Sequence, residues 1–356
     1  MQRRGYSRYF AYKVFQMQWD DLLHNHRTTL GQKLWAYKRG FLSYRIEMYG
    51  LTEENYKNYL SDFDYYKLHP INGIFNRWID DKYLFKLILQ NFSEYLPKYF
   101  FHIGNGEILP LLDCPDQFEP TLDGVIALLK SERALAAKQF SGSSGAGFIK
   151  LSCVEGIFQI GELFVSERDI RDLIEQFSSK MKGGYLVTEY IRPCQELSRI
   201  WDKTANTVRI SVLREKGQPP SIFSAYIRFG TEKTGSVDNS SSGGITCIID
   251  LDTGFFHDGR IIEKGQNIHC EIHPDSKVFM EGTIPQWEFV KRKILEICAY
   301  LPQLVLMGMD VVITEAGFKI IEINSHGTFG YNQAYLPLLS NEMTKNFFKE
   351  QLRRIR

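Results

Sequence analysis

Hydrophobic spacing changes character along the chain. Through residue 75 apolar and aromatic side chains recur at helical intervals in YFAYKVFQMQWDDLL and LGQKLWAYKRGFLSYRIEMYG, which predicts helices. Gly50 reads as a helix end, and the TEEN after it as a new capped start. From 76 to 130 the spacing predicts a helix over DDKYLFKLILQNF, a short strand in YFFHIGNGEI and a helix around TLDGVIALLKSE. Residues 134–192 read as strand, glycine loop, strand, the hairpin partner GIFQIGELFV, the helix ERDIRDLIEQFSSK and the strand GYLVTEYI. Beyond 204, β-branched runs predict strands in NTVRISVL, SIFSAYIRF and GITCIIDLD, then a helix at about 285–301. Strands joined as hairpins and interspersed with helices place the chain in the α+β class. There is no internal repeat, and the low-complexity patch GSVDNSSSGG is loop-like.

The last apolar run, MDVVITEAGFKIIEIN, raises a chemical question. It predicts a hairpin turning through Glu315, Ala316 and Gly317, a three-residue loop with glycine in the left-handed position. That register pairs Thr314 with Phe318, Val312 with Ile320 and Asp310 with Glu322. Directly opposed acids repel unless something neutralises them. Asn324 lies two residues past Glu322 and points the same way. Two carboxylates and an amide oxygen form a hard, all-oxygen set, which suits magnesium held together with substrate phosphates. An edge hairpin with its acids in water is the alternative.

Composition narrows the classes. A chain of 356 residues with 44% hydrophobic and 24% charged residues is that of a globular protein with room for two or three structural units. The formal charge of +1 gives no reason to expect nucleic acid. Charge is nonetheless uneven: Arg3, Arg4, Arg8, Lys13, Arg27, Lys33, Lys38, Arg39 and Arg45 face few acids before residue 46. Two readings of this basic, aromatic start stand open, a helical cap packed on the main body or a surface touching anionic lipid or an acidic polymer. Six cysteines without CxxC spacing indicate neither zinc nor a disulfide framework, and are expected to be reduced thiols in the cytoplasm. No apolar run approaches the roughly 20 residues that span a bilayer. The expected location is therefore cytoplasmic, with peripheral contact at the inner membrane face as the further possibility.

Other segments carry charge in suggestive places. In ALAAKQFSGSSGAGFIKL, Lys138 ends one strand and glycines 142, 145 and 147 occupy the loop before the next. Small residues let backbone N–H groups turn toward an anion, and a nearby ammonium adds charge. The spacing fits neither a Walker A loop nor a dinucleotide fingerprint. Lys150, just past the loop, reads as a strand-edge charge, with a second phosphate contact as the alternative. GGYLVTEYIRPCQELSRIW places Glu189 in an extended run and Glu196 seven residues on.

Taken in order, these residues resemble the ATP-grasp superfamily of carboxylate-amine ligases over roughly residues 75–330. The resemblance implies an ATP-grasp fold, two α+β subdomains gripping ATP, here with a helical N-terminal extension. The expected division is a basic, aromatic region at 1–75, a preceding region at 76–130, the N-terminal subdomain at 131–195 and the C-terminal subdomain at 196–356. The lysine of DDK, Lys82, is similar to the family's lysine on the helix before the nucleotide site. Lys138 matches the lysine before a mobile loop, here Ser141, Gly142, Ser143, Ser144 and Gly145, that covers the phosphates. TEYI resembles the hinge that meets adenine through Glu189, Tyr190 and Ile191, and Glu196 falls where ribose hydroxyls are bound. Asp310, Glu322 and Asn324 fit the magnesium ligands, with two ions expected. Arg209 resembles an arginine beside the reacting phosphate; Asn239 and His326 are weaker matches. The N-terminal region, NTVRI and VDNSSSGGI look like the sugar-transferase-associated ATP-grasp proteins of capsule and surface-polysaccharide gene clusters. The implied reaction activates a small-molecule or glycan carboxylate as an acyl phosphate, with Lys138 and Arg209 stabilising charge, and passes it to an amine. A kinase-like phosphotransferase acting on a small molecule or sugar is the alternative, and a non-catalytic interaction protein a third reading.

Overall fold

The computed structural model describes residues 8–140, 147–180, 183–263, 265–325, 327 and 329–355. Helices α1 (Arg8–His24), α2 (Leu30–Lys38), α3 (Arg45–Tyr49) and α4 (Asp62–Lys67) come first. The helical pattern after residue 30 is broken rather than continuous, because the chain turns at Arg39 and Gly40 and re-enters helix at Arg45, with Gly50 closing α3. The capped start expected at TEEN yields only a single 3-10 turn, Tyr56–Asn58. Phe41, Met48, Tyr49 and Leu51 pack with Ile262 and Ala334, so the opening region does cap the main body.

Next come α5 (Arg77–Asp80) and α6 (Lys82–Ile88), separated by Asp81, whose carboxylate accepts the N–H groups of Tyr83 and Leu84 at 2.9 Å each. A side chain that satisfies two otherwise unpaired donors fixes where α6 begins.

The first sheet holds β1 (Tyr99–Gly104), β2 (Glu107–Pro110), β3 (Ala134–Gln139), β4 (Ile149–Val154), β5 (Ile157–Ile160), β6 (Leu163–Val165) and β7 (Tyr185–Glu189), in the order β2-β1-β7-β3-β4-β5-β6. Helices α7 (Leu122–Glu132) and α8 (Glu167–Lys180) pack on it. Val125, Leu129, Ile170, Ile174 and Phe177 recur at helical spacing and meet Phe101, Leu135 and Val187 from the strands. Strands from before residue 131 thus pair in the same sheet as those after it. Since β4 lies between β3 and β5, Lys150 is not at a strand edge, contrary to the sequence expectation.

After α9 (Gln195–Ser198) the second sheet is built from β8 (Val208–Leu213), β9 (Ser221–Phe229), β10 (Ile245–Ile249), β11 (Phe255–Glu263), β12 (Gln266–His269), β13 (Gly282–Thr283), β14 (Leu306–Thr314) and β15 (Gly317–Asn324). The order is β12-β11-β10-β9-β8-β14-β15, with β13 on β11, and every pairing is antiparallel. The β11–β12 hairpin has no counterpart in the sequence reading. Helix α10 (Trp287–Tyr300) covers one face, while α11 (Phe329–Tyr335) and α12 (Glu342–Arg354) follow the last strand.

Strand alternation sorts the second sheet's residues by face. Val208, Ile210 and Val212, Ala225 and Ile227, and Met309 and Val311 join Ile294 and Ile297 of α10 in one core. Arg209, Tyr226, Arg228 and Asp310, at the intervening positions, are directed to the opposite face.

The last hairpin corrects the expected register in part. Asp310 does face Glu322, but Val311 pairs with Ile320, Val312 with Lys319, Ile313 with Phe318 and Thr314 with Gly317. The loop is two residues, Glu315 and Ala316, and a bulge at Ile321 restores the pairing of the acids.

In the first sheet, Gly184 enters β7 with φ +71°, and a Cβ there would lie 2.2 Å from the Ile103 carbonyl oxygen and 2.7 Å from the Cα of Gly104. Both neighbours are backbone, so Gly184→Ala is expected to destabilise the protein by about 2 kcal/mol or more. Urea denaturation followed by circular dichroism would show this as a lowered midpoint.

Candidate functional site

The centre of the second sheet is a buried charge cluster. Asp310 on β14 is flanked by β8, where Arg209 is its direct partner in register. Arg209 donates to it through two nitrogens, Nε to Oδ1 at 2.5 Å and Nη2 to Oδ2 at 3.0 Å. One strand further, on β9, Arg228 brings Nη2 within 3.3 Å of the same Oδ2. Arg228 also donates from Nε to the Thr207 hydroxyl at 2.8 Å, and that hydroxyl donates to Asp238 at 2.7 Å. Burial alone would raise the Asp310 pKa, but the two guanidiniums outweigh it and hold the carboxyl below its ordinary value. The sequence reading anticipated Arg209 and missed Arg228. The available signal was an arginine set in the otherwise apolar strand SIFSAYIRF, a residue that cannot be buried without a partner.

Glu322 has the contrary environment. Burial and then the Asp310 charge raise its pKa, with Lys82, Arg209 and Lys138 acting in the other direction. The Lys82 ammonium, at the first turn of α6, stands 4.0 Å from Glu322 Oε1, too far for a hydrogen bond. Lys138 arrives from the first sheet, on β3. Burial lowers its pKa to about 8, Lys82 pushes in the same direction, and Glu322 and Asp310 oppose them. Four cations, Lys82, Lys138, Arg209 and Arg228, thus gather with the carboxylates Asp238, Asp310 and Glu322 where the two sheets meet.

The segment Asp80, Asp81 and Lys82 divides its labour. The Asp80 carboxylate accepts from Ser325 N–H at 3.3 Å and from its hydroxyl at 3.0 Å. Asp81 starts α6, and Lys82 faces Glu322. On the other side of Ser325, the buried amide of Asn72 donates to the carbonyl oxygens of Leu306 at 2.8 Å and Ser325 at 3.4 Å. The residues following the acids are thereby held from two directions.

Whether a hard cation suits this place turns on the free oxygen positions. A carboxylate offers about four lone-pair sites, of which the arginines occupy three on Asp310. Glu322 has no hydrogen bond from Lys82, and the buried Nδ2 of Asn324 has no hydrogen-bond partner. Two carboxylates and an amide are donors that fit magnesium. Among the described residues no cluster of three or more His, Cys, Asp or Glu is arranged to hold a metal.

The remaining expected residues are not part of this cluster or lie outside the described residues. Glu189 ends β7, and its carboxylate accepts the Lys98 N–H at 3.0 Å. Tyr190 and Ile191 follow as the chain leaves the sheet, and the Lys150 ammonium sits 5.2 Å above the Tyr190 ring. Lys150 therefore sits between the Tyr190 ring and Glu162, whose Oε1 is 3.7 Å from its ammonium, rather than at a solvated edge. Glu196 is exposed on α9. Asn239 forms a turn, its carbonyl accepting from Ser242 and Gly244. Ser141, Gly142, Ser143, Ser144, Gly145 and His326 lie outside the described residues.

Two antiparallel sheets meeting around a lysine from the first, a lysine from α6 and opposed acids from the second form the arrangement expected of ATP-grasp proteins. The profile of the sugar-transfer associated ATP-grasp family matches residues 65–345, and the chain belongs to that family, within the ATP-grasp ligase superfamily. A search of curated protein sequences gives no match. Similar solved structures include D-alanyl-alanine synthetase A from Vibrio cholerae, at 14% identity and a TM-score of 0.43 over 78% of this chain and 65% of that one. D-alanine–D-alanine ligase from Bacillus anthracis, solved in complex with ATP, shows 11% identity and a TM-score of 0.38 over 78% and 68%. N5-carboxyaminoimidazole ribonucleotide synthetase from Thermotoga maritima shows 10% and 0.35 over 70% and 42%. This chain spans less than two thirds of the first and last of these proteins.

The two opposed acids should respond differently to removal. Asp310→Ala leaves the buried Arg209 guanidinium without its carboxylate and Arg228 with only Thr207 and Asp238, and is expected to cost about 3–5 kcal/mol of stability. Glu322→Gln removes a burial cost and a repulsion that together outweigh the attraction of Lys82, Arg209 and Lys138, so the ligand-free protein should gain up to about 1 kcal/mol while losing magnesium-dependent nucleotide binding. Thermal melts with and without MgADP separate these outcomes. A phosphate bound at Lys138 would raise its pKa above the ligand-free value of about 8, so affinity for ADP without divalent ions is expected to fall as pH climbs past that value. Calorimetric titration between neutral and alkaline pH reads this directly.

Proposed function

We propose that the protein is an ATP- and magnesium-dependent ligase that activates a carboxylate as an acyl phosphate and joins it to an amine, releasing ADP and phosphate. The observation that carries this reading is the gathering of Lys82, Lys138, Arg209 and Arg228 around Asp310 and Glu322 at the junction of the sheets. Such a cluster has a surplus of positive charge for a triphosphate and an acid that is better off with a cation beside it.

In this reading Lys138 and Lys82 bind the phosphates, and Ser141, Gly142, Ser143, Ser144 and Gly145 close over them to exclude water. Glu189, Tyr190 and Ile191 meet the adenine, and Glu196 the ribose. Magnesium, expected as two ions, would be held by Glu322, Asn324 and the open position on Asp310, and would supply charge that draws the phosphate oxygens together. A carboxylate oxygen of the first substrate attacks the γ-phosphorus, the bond to the bridging oxygen breaks and ADP leaves. Arg209 and Lys138 offset the charge that spreads over the transferring group. Arg228 keeps Arg209 and Asp310 in place. The amine nitrogen then attacks the activated carbonyl carbon, phosphate departs, and the proton shed by nitrogen goes to the departing phosphate. Water must be kept out between the two steps, since hydrolysis would discard the intermediate. The family's description as sugar-transfer associated supports a carboxylate carried by a sugar, in the modification of a surface polysaccharide.

Purified protein with ATP, magnesium and panels of uronic acids and amines should release ADP only when both partners are present, with an amide mass in the products. Lys138→Met should lower kcat/KM by about a hundredfold or more. A stable phosphorylated sugar without amide would instead establish a phosphotransferase.

A further inference from the structure

The N-terminal helix α1 is inverted with respect to the usual amphipathic pattern. At about 100° per residue, Tyr12, Phe15, Trp19 and Leu23 fall within about 80° of one another on a single face. That face looks outward: Tyr12 is 61% exposed, Phe15 55%, Trp19 54% and Leu23 48%. The rings of Phe15 and Trp19 stack on the surface with centroids 6.2 Å apart. The opposite side of the helix, turned toward the protein, carries Val14 and the buried carboxylate of Asp21. Asp21 accepts from the Ser43 N–H at 2.8 Å and the Tyr37 hydroxyl at 2.7 Å. A surface helix normally hides its apolar stripe and wets its polar one. Here the polar group is anchored inside and the aromatic stripe is left out, and Leu30 on α2 is 65% exposed as well.

Charge supplies the partner's nature. The first 45 residues hold nine lysines and arginines against two acids, while the whole chain is nearly neutral. Asp21 and Lys33 are buried, and Arg27, Arg39 and Arg45 pair with Glu47, Glu53 and Asp62. Lys38 is exposed on α2, and Lys13 follows Tyr12 on α1. Tryptophan, tyrosine and phenylalanine above a basic surround are the side chains that settle at the headgroup level of a bilayer. Among the described residues no helix is long and apolar enough to cross a membrane.

We propose that the outward face of α1 seats this protein on an anionic lipid surface, with its aromatic stripe in the headgroup region and the surrounding cations on the lipid phosphates. The placement has a functional corollary. Met17, Asp20 and His24 of α1 line a cavity of about 760 Å³ whose far wall includes Tyr44, Arg45 and Tyr331. Tyr331 lies 6.2 Å, centroid to centroid, from Tyr226, the strand partner of Arg209. A helix seated on lipid would therefore hold this cavity close to the bilayer, within reach of a substrate carried there.

The test is flotation of the full chain with vesicles of equal parts phosphatidylglycerol and phosphatidylcholine, against vesicles of phosphatidylcholine alone. The wild-type protein should float with the first and not the second, and added salt should weaken the binding. Phe15→Gln with Trp19→Gln, and separately Tyr12→Gln with Leu23→Gln, should each lower partitioning by about tenfold or more while leaving the melting temperature and ADP binding unchanged. Failure of the wild type to float would overturn the proposal. So would salt-sensitive binding that both variants retain, which would mark a general polyanion site. Concentration-dependent dimerisation abolished by the same substitutions would assign the face to a second copy of the chain and overturn it too.

Discussion

The ion pair between Asp310 and Arg209, reinforced by Arg228, sets the terms for the rest of the molecule. It lies at the centre of a sheet whose other face is a continuous apolar core, and charges in such a place persist only when paired and hydrogen-bonded. The pairing also breaks the symmetry between the two opposed acids. Asp310 is neutralised within the sheet by its strand neighbours, whereas Glu322, on the outermost strand, is balanced by lysines that come from α6 and from the other sheet and, more distantly, by Arg209. One acid therefore serves the fold and the other is left in tension, and tension of that kind is where ligand binding gains its energy.

Much of this was legible where a single local rule governed. The amphipathic run ERDIRDLIEQFSSK became α8 over the same residues, because its apolar spacing has no competing interpretation. The opposition of Asp310 and Glu322 was also legible, though by a partly wrong route: the loop has one residue fewer than expected and the strand one bulged residue more, and the two errors cancel at the acids. Bulges depend on what the neighbouring strand needs, which no hairpin shows by itself. The β11–β12 hairpin escaped because FFHDGRIIE mixes polar and apolar residues without clean alternation, and Asp258 takes a positive φ of 56° in its midst.

The partners of the charged residues were less legible than the residues themselves. Lys82, Lys138 and Arg209 were visible as cations in a familiar order, but Arg228 had no motif to announce it and gains its meaning from lying two strands from Asp310. Lys150 was misjudged because strand order, and with it the distinction between edge and interior, is a property of the whole sheet. The helices before residue 50 show the same limit: their spacing was read, but which face would point outward was set by Asp21, whose partners Tyr37 and Ser43 lie well along the chain.

The double tether on Ser325, from Asp80 and from Asn72, has an architectural meaning. Both anchors lie within the stretch shared with the family, next to the lysine that faces Glu322. The earlier helices brace instead against α11 and β12, through pairs such as Leu60 with Gln333 and Met48 with Asn267. The stretch ahead of the family match is thus fastened at points other than those that hold Ser325, so a disturbance of α1 to α3 does not pass directly to the turn that follows the acids.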